Sequence, residues 1–270
     1  MGRGIAQVAA MAGFKTILYD IQASALEEAR ENITKNLDGA IDRNKIDALQ
    51  KDDTLARIKY TRDIFHCDGE LIVEAIVERL DIKIDIFKKL ATINKEDAIF
   101  ATNTSSIPIT QIAAGVPQPE RVVGMHFFNP AHIMKLVEVI TSEFTCNEVA
   151  QCIYQLAIKI GKQPVFCKDQ PGFITNRVAR HYYVEALKMV EDQIATIEQV
   201  DDIMESMGFR MGPFKLMDLV GNDINLAVTQ SLYNAFFQVD RFRPSRLQTQ
   251  KVAAGLLGRK TGKGYYQYDK

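Results

Sequence analysis

Strand-like and helix-like segments alternate along the first half of this chain, and that alternation restricts its fold more than any other feature. Lys15-Thr16-Ile17-Leu18-Tyr19-Asp20 reads as a strand ending in an acid. Leu71-Ile72-Val73-Glu74-Ala75-Ile76, Ala98-Ile99-Phe100-Ala101-Thr102 and residues 121–128 are further β-rich runs. Helical patterns lie between them. Residues 4–12 form a small-residue helix, residues 24–46 carry Leu26, Ile33 and Leu37 near helical spacing, and residues 81–90 form another. Such alternation implies a mostly parallel sheet with helices on both faces. The character changes at Asp169-Gln170-Pro171-Gly172. Beyond it the pattern is helical over residues 174–191, 196–207 and 222–237, with Gly208-Phe209-Arg210-Met211-Gly212-Pro213-Phe214 as a connection. The expected division is an α/β domain over residues 1–170 and an all-helical domain over residues 171–270.

Bulk properties exclude several function classes. The 270 residues suffice for two domains, and 47% hydrophobic with 25% charged residues is ordinary for a globular protein. A net charge of −1 gives no electrostatic reason to expect nucleic acid or an anionic membrane as partner. No apolar run approaches the ~20 residues that span a bilayer. The opening residues do not read as a secretory signal. Cys67, Cys146, Cys152 and Cys167 show neither a CxxC pair nor metal-ligand spacing. They read as scattered thiols of a reducing cytoplasm, so a cytoplasmic location and no metal are expected.

Two constellations suggest chemistry. Met1-Gly2-Arg3-Gly4-Ile5-Ala6 leads directly into a helix, and Asp20 closes the following strand. An acid at the end of the second strand of a βαβ unit binds the hydroxyls of an adenosine ribose and repels a 2′-phosphate, favouring NAD over NADP. The bland reading is that Asp20 begins a turn. A dinucleotide fingerprint needs a strand and then three glycines; Gly2 matches the last, and the strand and the other two would stand ahead of the numbered chain. The second constellation is Gly124-Met125-His126-Phe127-Phe128-Asn129-Pro130 followed by Leu136-Val137-Glu138-Val139-Ile140. Adjacent strands joined by a short connection bring His126 and Glu138 face to face. A buried carboxylate that accepts from one imidazole nitrogen fixes the tautomer and raises the basicity of the other, as a general base near neutral pH requires. His66, His132 and His181 have no comparable partner and read as structural.

Further segments stand in order along the chain: Ile72-Val73-Glu74-Ala75-Ile76-Val77-Glu78, Thr102-Asn103-Thr104-Ser105-Ser106, Pro171-Gly172-Phe173-Ile174-Thr175-Asn176-Arg177, and Gly258-Arg259-Lys260-Thr261-Gly262-Lys263-Gly264-Tyr265-Tyr266. With Gly2, Asp20 and the His126 segment, the chain resembles the L-3-hydroxyacyl-CoA dehydrogenase family over nearly its whole length, with the nearest likeness to bacterial 3-hydroxybutyryl-CoA dehydrogenases. The resemblance implies a Rossmann-like NAD-binding domain and a helical domain that forms a homodimer and closes over a site in the cleft between the two. It makes His126 the general base and Glu138 its orienting carboxylate. Ser105 and Asn176 would contact substrate oxygens. Asp20 would bind the adenine ribose, and Gly2, Glu78, Lys83, Ser105, Asn129 and Lys260 would line the rest of the NAD site. The coenzyme A moiety would follow the helical region after Asp20, with Arg43 nominated as its basic contact. The implied reaction is interconversion of (S)-3-hydroxyacyl-CoA and 3-oxoacyl-CoA of short chain length.

Plainer readings of the same residues stay open at this point. Thr104-Ser105-Ser106 also suits a strand-end turn, Asn176 a helix start, and Lys83 with Glu78 a solvated pair worth a few tenths of a kcal/mol, roughly as for exposed helical pairs. Two other functions remain in view: a hydroxy-acid dehydrogenase of the same superfamily, and an acyl-CoA-binding dimer without catalysis.

Overall fold

A computed structural model describes residues 1–268, and the chain divides into two compact units, Met1–Gln170 and Pro171–Lys270. The first unit opens with α1 (Gly2–Met11), β1 (Thr16–Tyr19), α2 (Ala23–Ile41), α3 (Ala48–Ala56) and β2 (Ile58–Thr61). It continues with β3 (Leu71–Glu74), α4 (Leu80–Ala91), β4 (Ile99–Thr102), α5 (Ile109–Ala113), β5 (Val122–Phe127), β6 (Leu136–Thr141), α6 (Asn147–Lys159) and β7 (Gln163–Lys168).

β1 and β2 form a parallel pair, and β3-β4-β5-β6-β7 form a five-stranded sheet. All pairings in the larger sheet are parallel except β5 with β6, which is antiparallel. Two adjacent strands with a short connection can only run antiparallel, whereas the parallel β6–β7 step uses α6 as its crossover.

Side chains on a strand alternate between faces. Val123, Met125 and Phe127 of β5 join Val137 and Val139 of β6 and Ile99 and Ala101 of β4 in one core, with Ile5 and Val8 of α1 and Val149 and Ile153 of α6. The alternate positions face the other way: Glu74, Thr102, His126 and Glu138 belong to this second set. It also holds Gly124, where a Cβ would lie 2.7 Å from the Ile140 Cβ and 3.0 Å from Ile109 Cδ1. The missing side chain lets α5 and β6 close tightly beside the histidine.

The second unit holds α7 (Thr175–Glu191), α8 (Ile197–Ser206), α9 (Pro213–Val220), α10 (Asn222–Ala235) and α11 (Arg246–Ala253). Tyr183, Leu187, Val200, Phe214 and Met217 form its core. Two buried carboxylates organise it. Asp201 accepts from the Phe214 and Lys215 amides at the start of α9 and from the Tyr266 hydroxyl. Asp218 accepts from the Tyr265 and Tyr266 amides, the Tyr268 hydroxyl and Asn222. The glycines of the last motif follow from that second knot. A Cβ on Gly258 would lie 2.2 Å from the Asp218 carbonyl oxygen, and one on Gly264 would lie 2.0 Å from its carboxylate.

Some elements depart from the sequence reading. The helix expected over residues 24–46 stops at Ile41, and the chain then turns through Asn44, whose φ of 53° a helix does not allow. α3, β2, α6, β7 and α11 were not anticipated. No helix among the described residues is long and apolar enough to cross a membrane.

Candidate active site

The antiparallel register sets His126 directly opposite Glu138. The His126 Nδ1 lies 2.7 Å from the Glu138 Oε2, and the two side chains are 7% and 0% exposed. An ionised carboxylate only accepts, so the proton between them sits on Nδ1, which makes Nε2 the basic nitrogen of the ring. The His126 ring also lies 4.6 Å from the Phe128 ring, centroid to centroid. A histidine so enclosed has few orientations open to it, which is the condition a positioned base needs.

Next along the same face lies a buried ion-pair system. Lys83 has no exposed surface, and its ammonium meets the Glu74 oxygens at 2.7 and 2.9 Å and Glu78 Oε2 at 3.3 Å. Glu74 also accepts from the Thr102 hydroxyl at 2.7 Å and from the Ile76 amide at 2.6 Å. The solvated-pair reading of Lys83 and Glu78 is therefore overturned: Lys83 is among the largest fully buried side chains of the molecule. With no surface of its own, it reaches the turn after β4 only through Glu78.

Glu78 gathers the turn that follows β4. Its Oε1 accepts from the Thr104 hydroxyl at 2.6 Å, the Ser105 amide at 3.0 Å, and the Ser106 amide and hydroxyl at 3.1 and 2.9 Å. Burial raises the Glu78 carboxyl, but Thr104, the Lys83 charge, Ser105 and Ser106 outweigh it, and its pKa lies below the ordinary glutamate value. Thr104 and Ser106 are thus turn-builders, and Ser105 is the part-exposed residue they carry. Asn103 completes the join by accepting from the Phe127 amide at 2.8 Å, which fastens the end of β4 to the histidine strand.

Asp20 stands at the carboxyl end of β1, part exposed, and its Oδ1 accepts from the Gln22 amide at 2.9 Å, which is a turn role. A Cβ on Gly2 would lie 3.9 Å from Leu18 and 4.0 Å from Ala75, which places the start of α1 between the carboxyl ends of β1 and β3. Open α/β sheets bind their ligands at that end, and unpaired amides at a helix start favour phosphate. The arrangement of Gly2, Asp20 and the part-exposed Ser105 turn fits a dinucleotide. Asn129 is exposed and precedes Pro130 through a cis peptide bond. The turn after it is held by Lys162, whose ammonium donates to the Ala131 carbonyl and, at 2.9 Å, to the Met134 carbonyl. Sequence reasoning missed Lys162 because nothing near it in the chain signals burial. Arg43 is exposed in the turn after α2. Burial, then the charges of Lys162 and Arg43, lower the His132 pKa.

In the second unit Asn176 lies in the first turn of α7, part exposed, and its amide makes no hydrogen bond among the described residues. Lys260 is committed to Asp223 at 2.6 and 2.7 Å. No cluster of metal-ligating side chains occurs among the described residues.

A nucleotide-binding parallel sheet with an enclosed histidine–carboxylate pair, joined in sequence to a helical unit, defines a dehydrogenase class. Residues 1–170 match the family model described as the NAD binding domain of 3-hydroxyacyl-CoA dehydrogenase, and residues 172–268 match that for its C-terminal domain. The chain belongs to this family of NAD-dependent 3-hydroxyacyl-CoA dehydrogenases. It is 46% identical to a 3-hydroxyadipyl-CoA dehydrogenase of Escherichia coli K12, a match that takes in 99% of this chain but only 57% of that protein's length. A probable 3-hydroxybutyryl-CoA dehydrogenase of Deinococcus radiodurans is 42% identical, over 99% of this chain and 96% of that protein. The crystal structure of (S)-3-hydroxybutyryl-CoA dehydrogenase from Ralstonia eutropha superposes with a TM-score of 0.96 at 37% identity, covering 100% of this chain and 96% of that one.

Proposed function

We propose that the protein interconverts (S)-3-hydroxyacyl-CoA and 3-oxoacyl-CoA of short chain length, with NAD as the redox partner. The observation that carries this reading is the enclosed His126–Glu138 pair within a domain of the matching family. His126 Nε2 takes the proton of the substrate 3-hydroxyl, and in reduction the imidazolium returns it. An alkoxide is a poor species at neutral pH, so the proton must leave as C3 is oxidised. Glu138 keeps the proton on Nδ1 and stabilises the imidazolium. Ser105 and Asn176 orient the substrate oxygens as neutral groups that add no competing charge. Gly2, Asp20, Asn129 and the turn held by Glu78 hold the dinucleotide, which when bound supplies the hydride acceptor. Arg43 is the basic candidate for the coenzyme A moiety.

The helical unit also exposes large apolar side chains, among them Val178 (67%), Met207 (72%) and Phe237 (95%). Exposed apolar surface of this kind supports a homodimer formed through that unit. The family and the relatives are named for dehydrogenases, which leaves a binder without catalysis unfavoured.

The test is NADH absorbance with acetoacetyl-CoA. Oxidation of NADH in wild type that is lost in His126→Gln supports the reading. Equal rates in the two would sink the mechanism.

A further inference from the structure

Among the described residues three cations of Lys or Arg are buried, Lys83, Lys162 and Arg180. Lys83 meets two carboxylates. The Lys162 ammonium is capped by two backbone carbonyls, and Arg180 has part of its donor set unfilled. Arg180 of α7 is 3% exposed, and no carboxylate pairs with it among the described residues. Its Nη1 donates to the Asn225 carbonyl at 2.9 Å, to Asn225 Oδ1 at 3.1 Å and to Thr229 Oγ1 at 2.9 Å. Its Nε is buried without any acceptor, and Nη2 has no hydrogen bond among the described residues. Burial lowers the Arg180 pKa to about 10, so it remains charged at neutral pH.

The division of labour within this guanidinium is informative. Fastening α7 to α10 needs only Nη1, which neutral acceptors already saturate. Nε and Nη2 form the edge that presents two parallel N–H groups, the geometry that grips a carboxylate bidentately. A buried cation with that edge unfilled is costly unless an anion completes it.

Position says which anion. Arg180 lies four residues after Asn176, so the two share a face of α7, separated by about 6 Å of helix rise. Asn176 is the residue to which the proposed reaction gives a substrate oxygen, and the present argument rests on that reading. From C3 of a hydroxyacyl chain, three carbon–carbon bonds of about 1.5 Å each carry a six-carbon chain to its end, about 4 Å away when extended. A carboxylate at that end comes within reach of the free edge. A methyl end would leave the edge unpaired.

We infer that Arg180 is a specificity-determining residue, its free Nε–Nη2 edge receiving the terminal carboxylate of an ω-carboxyacyl-CoA substrate of about six carbons.

The test compares kcat/KM of the full chain for 3-hydroxyadipyl-CoA and for 3-hydroxyhexanoyl-CoA, which has the same length and a methyl end. The wild type should favour the carboxylate by about tenfold or more, since an unpaired buried polar group discriminates strongly. Arg180→Met should lower that ratio by about tenfold or more, chiefly through KM for the diacid, and Arg180→Lys should restore part of it. A wild-type ratio below tenfold, or a ratio in Arg180→Met within twofold of wild type, overturns the inference. A purely structural role would lower both substrates together and leave the ratio unchanged. If Arg180→Met does not fold, the wild-type ratio still decides. Turnover of 3-hydroxyhexanoyl-CoA without preference for the diacid overturns this inference and leaves the proposed reaction standing. Turnover of neither substrate nor of 3-hydroxybutyryl-CoA defeats both.

Discussion

A single hydrogen bond separates an ordinary buried histidine from a directed base. At 2.7 Å, the Glu138 carboxylate decides which imidazole nitrogen holds the proton. Glu138→Gln keeps the shape but lets an amide donate to Nδ1, which moves the proton to Nε2 and blocks proton removal. We expect kcat to fall by about 10²–10⁴-fold, with unchanged far-ultraviolet circular dichroism. A fall under about tenfold would show that the carboxylate does not set the tautomer. His126→Gln should fall at least as far. The pairing was visible in the sequence because each residue sits in its own apolar run and strand alternation then puts both on one face. The role of Lys83 was not visible. A lysine near the start of a helix reads as solvated, and its burial arises from Glu74 on β3, a neighbour only in the folded sheet.

The elements differ in how plainly the sequence shows them. Strands β3, β4 and β5 are read easily because they are apolar runs in a covered sheet. β2 is four residues long with an exposed Lys59, too short for period to separate it from a turn. α3 has no clear apolar face, since Leu49 is exposed and Thr54 is its buried position. Its signal was Asp47 with Gln50 three residues on, a capping box whose two reciprocal bonds form in the structure at 2.7 and 2.9 Å. β7 contains Pro164, which argues against a strand, yet it runs along the end of the sheet, where proline is tolerated. Two predictions belong to the elements that carry the site. Lys83→Met strands the Glu74 carboxylate in the joint between β3 and α4, and removal of one partner from a buried pair costs about 3–5 kcal/mol. The midpoint of thermal unfolding should drop by about 10 °C. A drop under about 2 °C would mean that the pair is dispensable. The second concerns the turn at Thr104-Ser105-Ser106. The folded Glu78 pKa lies below its unfolded value of about 4.3. The ionised form is therefore the one bound in the fold. Its contribution is present above that unfolded value and is lost as pH falls through the folded pKa. Protection of the Ser105 and Ser106 amides against exchange, taken relative to the intrinsic rate at each pH, should fall only below about pH 4, and Glu78→Gln should remove that fall. A fall in protection between pH 5 and 7 would assign the effect elsewhere.

At the scale of the whole molecule, the two units are built on different devices. The first is an apolar sheet core whose paired strand residues Glu74, His126 and Glu138 lie on the opposite face, and the second is a helical core tied by buried carboxylates. On the proposed assembly, light scattering should give twice the mass of one chain. Phe237→Asp, which places a charge on the most exposed apolar side chain of the helical unit, should shift that mass toward the monomer without unfolding it. A dimer unaffected by that change, and by Met207→Asp, would place the interface elsewhere. The antiparallel stretch from Gly124 to Ile140 also bears on how such chains diverge over generations. One residue gained or lost inside β5 or β6 would turn His126 or Glu138 to the opposite face. The turn between them is pinned by Lys162 and by Gly4, where a Cβ would lie 3.1 Å from Ala131. Insertions and deletions therefore have no harmless place in this stretch, whereas the exposed bend at residues 42–45 can absorb them. Among descendants of this chain, length should drift at the bend while the hairpin keeps its count.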